Sequence, residues 1–269
     1  MLQENQPVHL LWTGGWDSTF RMLYLLIKEK KTVQAHYLIE PRRRSVSEEL
    51  LARDKIREKL ISRYPEVKSR LCPTKFFDVD ELPDMPDVSI SYRRLYERVP
   101  IGTQYEYMAK YCILMGLHDV ETCIHTGGTA NKLLDPVTQP IDTAEDHYYV
   151  MSYQYKDTDE YKLFGHYRFP LYDAHKGDMG RVANEYGWQD LLTLTWFCLK
   201  PLPDHTPCGR CHPCCMVMRE GMTWRMPLKS RMMYYITLRP MEHSGSKVYK
   251  TMRQIKHLIM PRGSLSHRN

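Results

Sequence analysis

The chain has 269 residues, of which 42% are hydrophobic, 26% charged and 11% aromatic. This composition excludes collagen, coiled coil and disorder, and it supplies enough apolar mass for a core. The net charge of +6 is concentrated at one end. From Met222 to Asn269 ten Lys/Arg stand against one acid, Glu242, so that segment carries +9 and the remainder −3. The best apolar run, Met22 to Ile27, is six residues long, far from the ~20 of a membrane-spanning helix. Met1 to Pro7 is polar and carries no secretory signature. The expectation is a soluble, cytoplasmic protein that does not enter a membrane.

Taken in chain order, Val8 to Trp12 reads as a short strand bounded by Thr13-Gly14-Gly15. From Ser18 the period changes: Phe20, Leu23, Tyr24 and Ile27 share one face of a predicted helix. Val33 to Ile39 is a second predicted strand, Ser47 to Tyr64 a helix stopped by Pro65, and Lys75 to Val79 a third strand. Tyr105, Met108, Ala109, Cys112 and Ile113 recur at helical spacing up to Gly116. Glu121 to His125 reads as a strand, the Tyr148 to Tyr155 stretch has no clear period, and Lys176 to Tyr186 reads as a helix. Alternating strands and helices predict an α/β fold with a doubly wound parallel sheet, covered on both faces, with ligands at the carboxyl ends of the strands. The expected division is a domain over 1–221, including a metal loop at 198–215, and a basic extension over 222–269.

Two segments carry chemistry. The first is Thr13-Gly14-Gly15-Trp16-Asp17-Ser18-Thr19, between a strand and a helix. Its glycines allow a tight turn, and its hydroxyls and helix-start amides suit an anion. It lacks the Gly-Lys-Ser/Thr ending of a Walker loop. An ordinary capped turn, with Asp17 or Ser18 as N-cap, is the plainer alternative. The second is Cys198, Cys208, Cys211 and Cys214, spaced C-x9-C-x2-C-x2-C. Four thiolates at such spacing can close a tetrahedron around Zn²⁺. Cys215 could replace Cys214, and His205 or His212 could replace a thiolate. A ferredoxin-type iron–sulfur run would want a cysteine at 218, where Met218 stands. Cys72, Cys112 and Cys123 read as buried small hydrophobes.

The first segment resembles the Ser-Gly-Gly-x-Asp-Ser loop of the PP-loop ATP pyrophosphatases, with Thr13 in place of the first serine. Thr195-Trp196-Phe197-Cys198 ahead of Cys208-Gly209-Arg210-Cys211-His212-Pro213-Cys214 resembles the 7-cyano-7-deazaguanine synthase family of queuosine precursor synthesis. In that family a serine stands where Phe197 does. Phe169-Pro170-Leu171, Lys176 and Gly187 fall at matching positions, and the resemblance spans roughly Leu10 to Gly221.

The resemblance implies a Rossmann-like fold of the adenine nucleotide α-hydrolase type that binds ATP with Mg²⁺ and carries a structural Zn²⁺. ATP would be held by Thr13 to Thr19, with Asp17 and Ser18 catalytic. The implied activity is adenylation of a carboxylate, 7-carboxy-7-deazaguanine or a similar deazapurine acid. Ammonia or an amine then displaces AMP, giving an amide or nitrile.

The chain departs from the family where substrates are recognised. Ile39-Glu40-Pro41-Arg42-Arg43-Arg44 replaces Asp-Tyr-Gly-Gln, and Pro100-Ile101-Gly102-Thr103 replaces Pro-x-Arg-Asn. His125 to Lys132 replaces Asp-Tyr-Ser-Gly-Tyr-Pro-Asp-Cys-Arg. Arg42, Arg43, Thr103, His125 and Lys132 are therefore the substrate candidates. Two other expectations follow. One is conjugation of the acid to an amine on a protein or nucleic acid, which the basic tail would permit. The other is a non-catalytic nucleotide-binding module. A homodimer is a further expectation.

Overall fold

The computed structural model describes residues 6–144 and 146–237. The chain divides into two compact units, one up to Phe197 and one beginning at Cys198. No described helix is long and apolar enough to cross a membrane.

In the first unit the elements run β1 (Val8–Leu11), α1 (Trp16–Leu23), β2 (Val33–Ile39), α2 (Val46–Arg63), β3 (Lys75–Asp78), α3 (Pro86–Arg98), α4 (Gln104–Leu114) and β4 (Val120–Glu121). They continue as α5 (Asn131–Leu134), β5 (Thr138–Asp142), β6 (His147–Met151), α6 (Asp159–Phe164), β7 (Tyr167–Phe169), α7 (Lys176–Glu185) and α8 (Gln189–Leu192). The strands form one seven-stranded sheet in the order β3-β2-β1-β4-β7-β6-β5. β3, β2, β1, β4 and β7 are parallel, whereas β6 runs antiparallel to both β7 and β5. The sheet is thus mixed rather than wholly parallel. The antiparallel part is the aromatic stretch whose period could not be read. The order reverses between β1 and β4, because the chain builds outward to β3 and then returns to the other side of β1.

Helices cover both faces. In β2, His36 meets Tyr111 of α4, while the next residue, Tyr37, donates to Glu49 Oε2 of α2 at 2.9 Å. Successive strand residues point to opposite faces, so these two contacts mark the two layers. On the α4 side Leu11, Tyr92, Leu95, Met108, Cys112, Phe164 and Phe169 share one core.

Helix α1 starts at Trp16, with Gly15 as its N-cap. Neither Asp17 nor Ser18 is the cap, which corrects the capped-turn alternative. Beyond Leu23 the helix widens into a π-helical segment over Tyr24–Lys28. This shifts the buried face: Phe20 and Leu23 are buried as expected, but Leu25 and Leu26 take the places predicted for Tyr24 and Ile27. Its orientation is set by Arg21, which is buried. The guanidinium makes two hydrogen bonds to Glu121 of β4 at 2.8 and 2.7 Å and also meets Glu29 and Asp146. An Arg–carboxylate fork of this kind fixes angle as well as distance. β4 itself ends at Glu121, so Thr122 to His125 is loop rather than the predicted strand. Of the isolated cysteines only Cys112 is buried; Cys72 and Cys123 are half-exposed.

The His36 imidazole is 1% exposed, hydrogen-bonded to His9 and Tyr111 at 2.8 Å each. Burial, aided by the charges of His9 and Lys75, pushes its pKa down from 6.5 to about 4. The unfolded chain therefore takes up a proton near pH 6.5 that the folded chain refuses until about pH 4. Stability is complete above pH 6.5 and falls as the pH drops toward 4, by roughly 2 kcal/mol from this one group at pH 4.5. Urea unfolding between pH 7.5 and 4.5 should show this loss, and His36→Gln should flatten it. Parallel pH curves for both proteins would contradict the assignment.

Candidate functional site

The loop after β1 turns at Gly14, whose φ of +76° is left-handed. A Cβ there would lie 2.8 Å from Arg53 Cγ and 3.2 Å from the Glu49 carbonyl oxygen, so glycine is required by space as well as by angle. Arg53 of α2 is 3% exposed. Its guanidinium donates to the Trp12 carbonyl and to Thr74 Oγ1, and it stacks over the Trp12 and Tyr37 rings at 4.1 and 4.7 Å. Burial pulls its pKa down from 12.5 to about 10, so it remains a cation at neutral pH, seated beneath the loop. Trp196 N donates to the Gly14 carbonyl at 3.0 Å. The Thr195-Trp196 segment thus meets the loop after β1.

The seven loop residues play unequal parts. Thr19 is fully buried, and its hydroxyl accepts the Trp12 indole N–H at 2.9 Å; it holds the strand to the helix. Trp16 and Ser18 are buried in the first turn, Gly15 and Asp17 are partly exposed, and Thr13 is exposed. The first amides of a helix have no partner within it, and those of α1 lie at this loop. Asp17 Oδ1 is buried without a hydrogen-bond partner among the described residues. Its Oδ2 lies 3.9 Å from His125 Nε2. The loops after β1 and β4 therefore meet where the strand order reverses, which is where open α/β sheets form ligand crevices.

The remaining substrate candidates separate. Arg42 and Thr103 line one cavity of about 300 Å³ with Glu40, Asp80, Tyr107 and Lys110, beyond β2 and β3. Arg43 does not face it freely: it is tied to Glu40 at 2.8 Å and to the Tyr107 hydroxyl at 3.0 Å. His125 sits beside Asp17. Lys132 is exposed on α5 and lines neither this cavity nor that beyond β4. Arg53 was missed because its helix reads as amphipathic from sequence. Nothing in local spacing shows that one arginine points inward.

The second unit holds the cysteine group. Among its described residues α9 (His212–Arg219) and α10 (Leu228–Thr237) follow the cysteine loop. One sulfur from each of Cys198, Cys208, Cys211 and Cys214 lies within 4.8 Å of the others. The close approaches are 3.4 Å for Cys211–Cys214, 3.8 Å for Cys211–Cys198 and 3.9 Å for Cys208–Cys214. Four sulfurs at about 2.3 Å from a tetrahedral ion would stand about 3.8 Å apart. The group could therefore hold a metal such as zinc. Cys215, His205 and His212 lie outside it, so the open alternatives resolve in favour of Cys214.

Backbone amides of Cys208, Arg210 and Cys211 donate to cluster sulfurs at 3.2 to 3.4 Å, as in a site built for thiolates. Contacts with Cys198 and Cys214 lower the Cys211 thiol pKa, and contacts with Cys198 and Cys211 raise that of Cys214. As four thiolates the group would need a cation among them. Gly209, at φ +70°, has the Ser230 carbonyl oxygen 2.1 Å from where a Cβ would be, so the knuckle admits only glycine. Of the ten basic residues beyond position 221, Arg225, Lys229 and Arg231 are described, and Lys229 pairs with Asp204 at 2.7 Å. The other seven lie outside the described residues.

No family model matches the chain, and no curated protein is significantly similar to it.

Elemental analysis of the purified protein should find about one metal ion per chain, the capacity of a single four-thiolate site. Cys208→Ser should reduce that content and lower thermal stability together, because ligand binding and folding of such loops are coupled. Unchanged metal content in the variant would remove Cys208 from the ligand set.

Proposed function

We propose that the chain is an ATP-dependent carbon–nitrogen ligase with a Rossmann-like, doubly wound nucleotide-binding unit. It would adenylate a carboxylate, 7-carboxy-7-deazaguanine or a similar planar acid, and replace AMP with ammonia or an amine. The observation that carries the reading is the strand–Gly14-Gly15–helix loop at the strand-order reversal, with a partnerless buried oxygen on Asp17. A plain binding module needs the amides but has no use for a desolvated, unsatisfied carboxylate oxygen, which costs stability unless a ligand meets it.

The residues divide the work. Helix-start amides and Ser18 receive the phosphates, and Arg53 supplies a fixed positive charge from beneath the loop. Asp17 is the residue to hold Mg²⁺, which when bound would offset phosphate charge. Such positioning, with charge stabilisation in a crevice, is most of what attack of a carboxylate on the α-phosphorus requires. The cavity containing Arg42, Thr103 and Lys110 offers donors and acceptors together, as a flat polar heterocycle needs. The cysteine group would hold zinc as a closed structural site, leaving no position for substrate. Free thiols throughout suit the reducing cytoplasm.

Incubation with Mg-ATP, ammonium and candidate acids should release AMP and pyrophosphate in an acid-dependent manner. Asp17→Asn should reduce the rate by ~10²-fold or more, the scale on which single preorganised groups act, while leaving the unfolding midpoint near that of the parent. Equal turnover in the variant would refute the role given to Asp17. ATP binding without AMP formation under any acid would favour the binding module.

A further inference from the structure

A second cavity, of about 330 Å³, lies beyond β4 and is lined by Thr126, Gly127, Asn131, Asp135, Thr138, Tyr149, Tyr172 and Asp173. Its chemistry is one-sided. The Thr126 hydroxyl donates to the Tyr172 carbonyl, the Thr138 hydroxyl to the Leu134 carbonyl, and the Tyr172 hydroxyl to Asp135 Oδ1 at 2.6 Å. These three hydroxyl protons are thus committed to the protein, which leaves their oxygens as acceptors. Asp135 and Asp173 add carboxylates, and among the described residues no Lys or Arg lines the space. Asn131 is 8% exposed, and its Oδ1 has no hydrogen-bond partner among the described residues. Tyr149 and Tyr172, with ring centroids 4.9 Å apart, make an aromatic wall.

An acceptor-lined space with two carboxylates and an aromatic wall suits a nitrogen cation carrying several N–H donors. It rejects phosphate and carboxylate by charge. The volume exceeds what ammonium would fill, since one water occupies about 30 Å³. The cavity also begins at Thr126, the residue after His125, whose ring stands 3.9 Å from Asp17 of the nucleotide-type loop. A molecule held here lies next to the place where phosphates are proposed to bind.

We infer that this cavity binds the primary ammonium group of an organic amine, and that this amine, rather than free ammonia, is the nitrogen nucleophile. The inference deepens, and its role as nucleophile rests on, the ligase reading above. In that step the ammonium first loses one proton. The nitrogen lone pair then forms a bond to the acyl carbon, the acyl C–O bond breaks with its electrons leaving on AMP, and a second proton leaves nitrogen. Asp173, half-exposed and 3.2 Å from His147, is placed to pass such protons to solvent.

The test uses the full chain and two probes of equal shape, benzylammonium and benzyl alcohol, titrated by calorimetry at neutral pH without ATP. Benzylammonium should bind at least tenfold more tightly than the alcohol. Asp173→Asn, an exposed change that leaves the core untouched, should weaken it severalfold, and Asp135→Asn by tenfold or more. Equal binding of the two probes, or amine binding indifferent to both substitutions, would overturn the assignment. AMP release is measured separately with a candidate acid. A chain that binds the amine but makes no AMP would sink the ligase reading and leave the cavity as an amine site. A chain that makes AMP at a rate independent of benzylammonium, while ammonium accelerates it, would keep the ligase reading and refute the amine as nucleophile.

Discussion

A buried cation sits under the first loop, and among the described residues its hydrogen bonds go to neutral oxygens of two separate segments. Arg53 touches the end of β1 through the Trp12 carbonyl, the region before β3 through Thr74, and β2 through the Tyr37 ring. A desolvated guanidinium is costly unless its donors are satisfied and its face is covered. Here the covering is aromatic and the hydrogen-bond acceptors are neutral oxygens, while Glu49 and Asp54 act on the charge through space. The same side chain fills the space where a Cβ at position 14 would go. The tight turn and the residual positive field therefore have one source. Replacing Arg53 by a hydrophobe would relax both.

The second organising feature is topological. Because the sheet is extended on one side of β1 by β2 and β3 and on the other by β4 and β7, the chain leaves β1 and β4 toward opposite sides, and the loops after these two strands meet at the reversal between them. Arg21 fixes this geometry from below by clamping α1 to Glu121 at the very end of β4. The crevice that results has unlike flanks. On the β2–β3 side both signs of charge are present, with Arg42 and Lys110 among Glu40, Asp80 and Glu106. On the β4–β7 side the described lining holds two carboxylates, Asp135 and Asp173, among neutral residues. The two flanks of the crevice therefore differ in electrostatic character.

Much of the framework was readable from sequence. β1, β2, α2, α4 and α7 lie within a few residues of their predicted positions, because each has a strong period bounded by glycine or proline. The β5–β6 pair was not readable: Thr138 to Asp142 contains Pro140 and alternates poorly, and its partner is an aromatic run buried only in part. α3 was overlooked although Pro86 opens it and Val88, Tyr92 and Leu95 recur along one face. Its many charges obscured that spacing. At the cysteine group, sequence spacing named the four ligands but left Cys215 and two histidines open, and only the fold brings the sulfurs together. At the crevice, Asp17 and His125 were separately named, but their approach depends on the strand order. The acceptor cavity was invisible, since Asn131 and Asp135 belong to one stretch and Tyr172 and Asp173 to another, with no shared motif.

The loop also shows why a motif should not be treated as uniformly chemical. Thr19 matches the hydroxyl-rich pattern, yet its oxygen is taken by the Trp12 indole and has no access to solvent. Gly14 is required by Arg53 and its own φ, before any ligand is considered. These two residues build the turn. Asp17 differs in kind: it is partly exposed, one oxygen is buried without a partner, and the other faces an imidazole from a different loop. A fold does not retain such an arrangement for stability, because an unsatisfied buried oxygen costs about 1–3 kcal/mol. Within one short segment, then, Gly14 and Thr19 are accounted for by the turn itself, whereas the Asp17 carboxylate is not. The same distinction separates Thr126 and Thr138, whose protons are committed, from Asn131, whose oxygen is not.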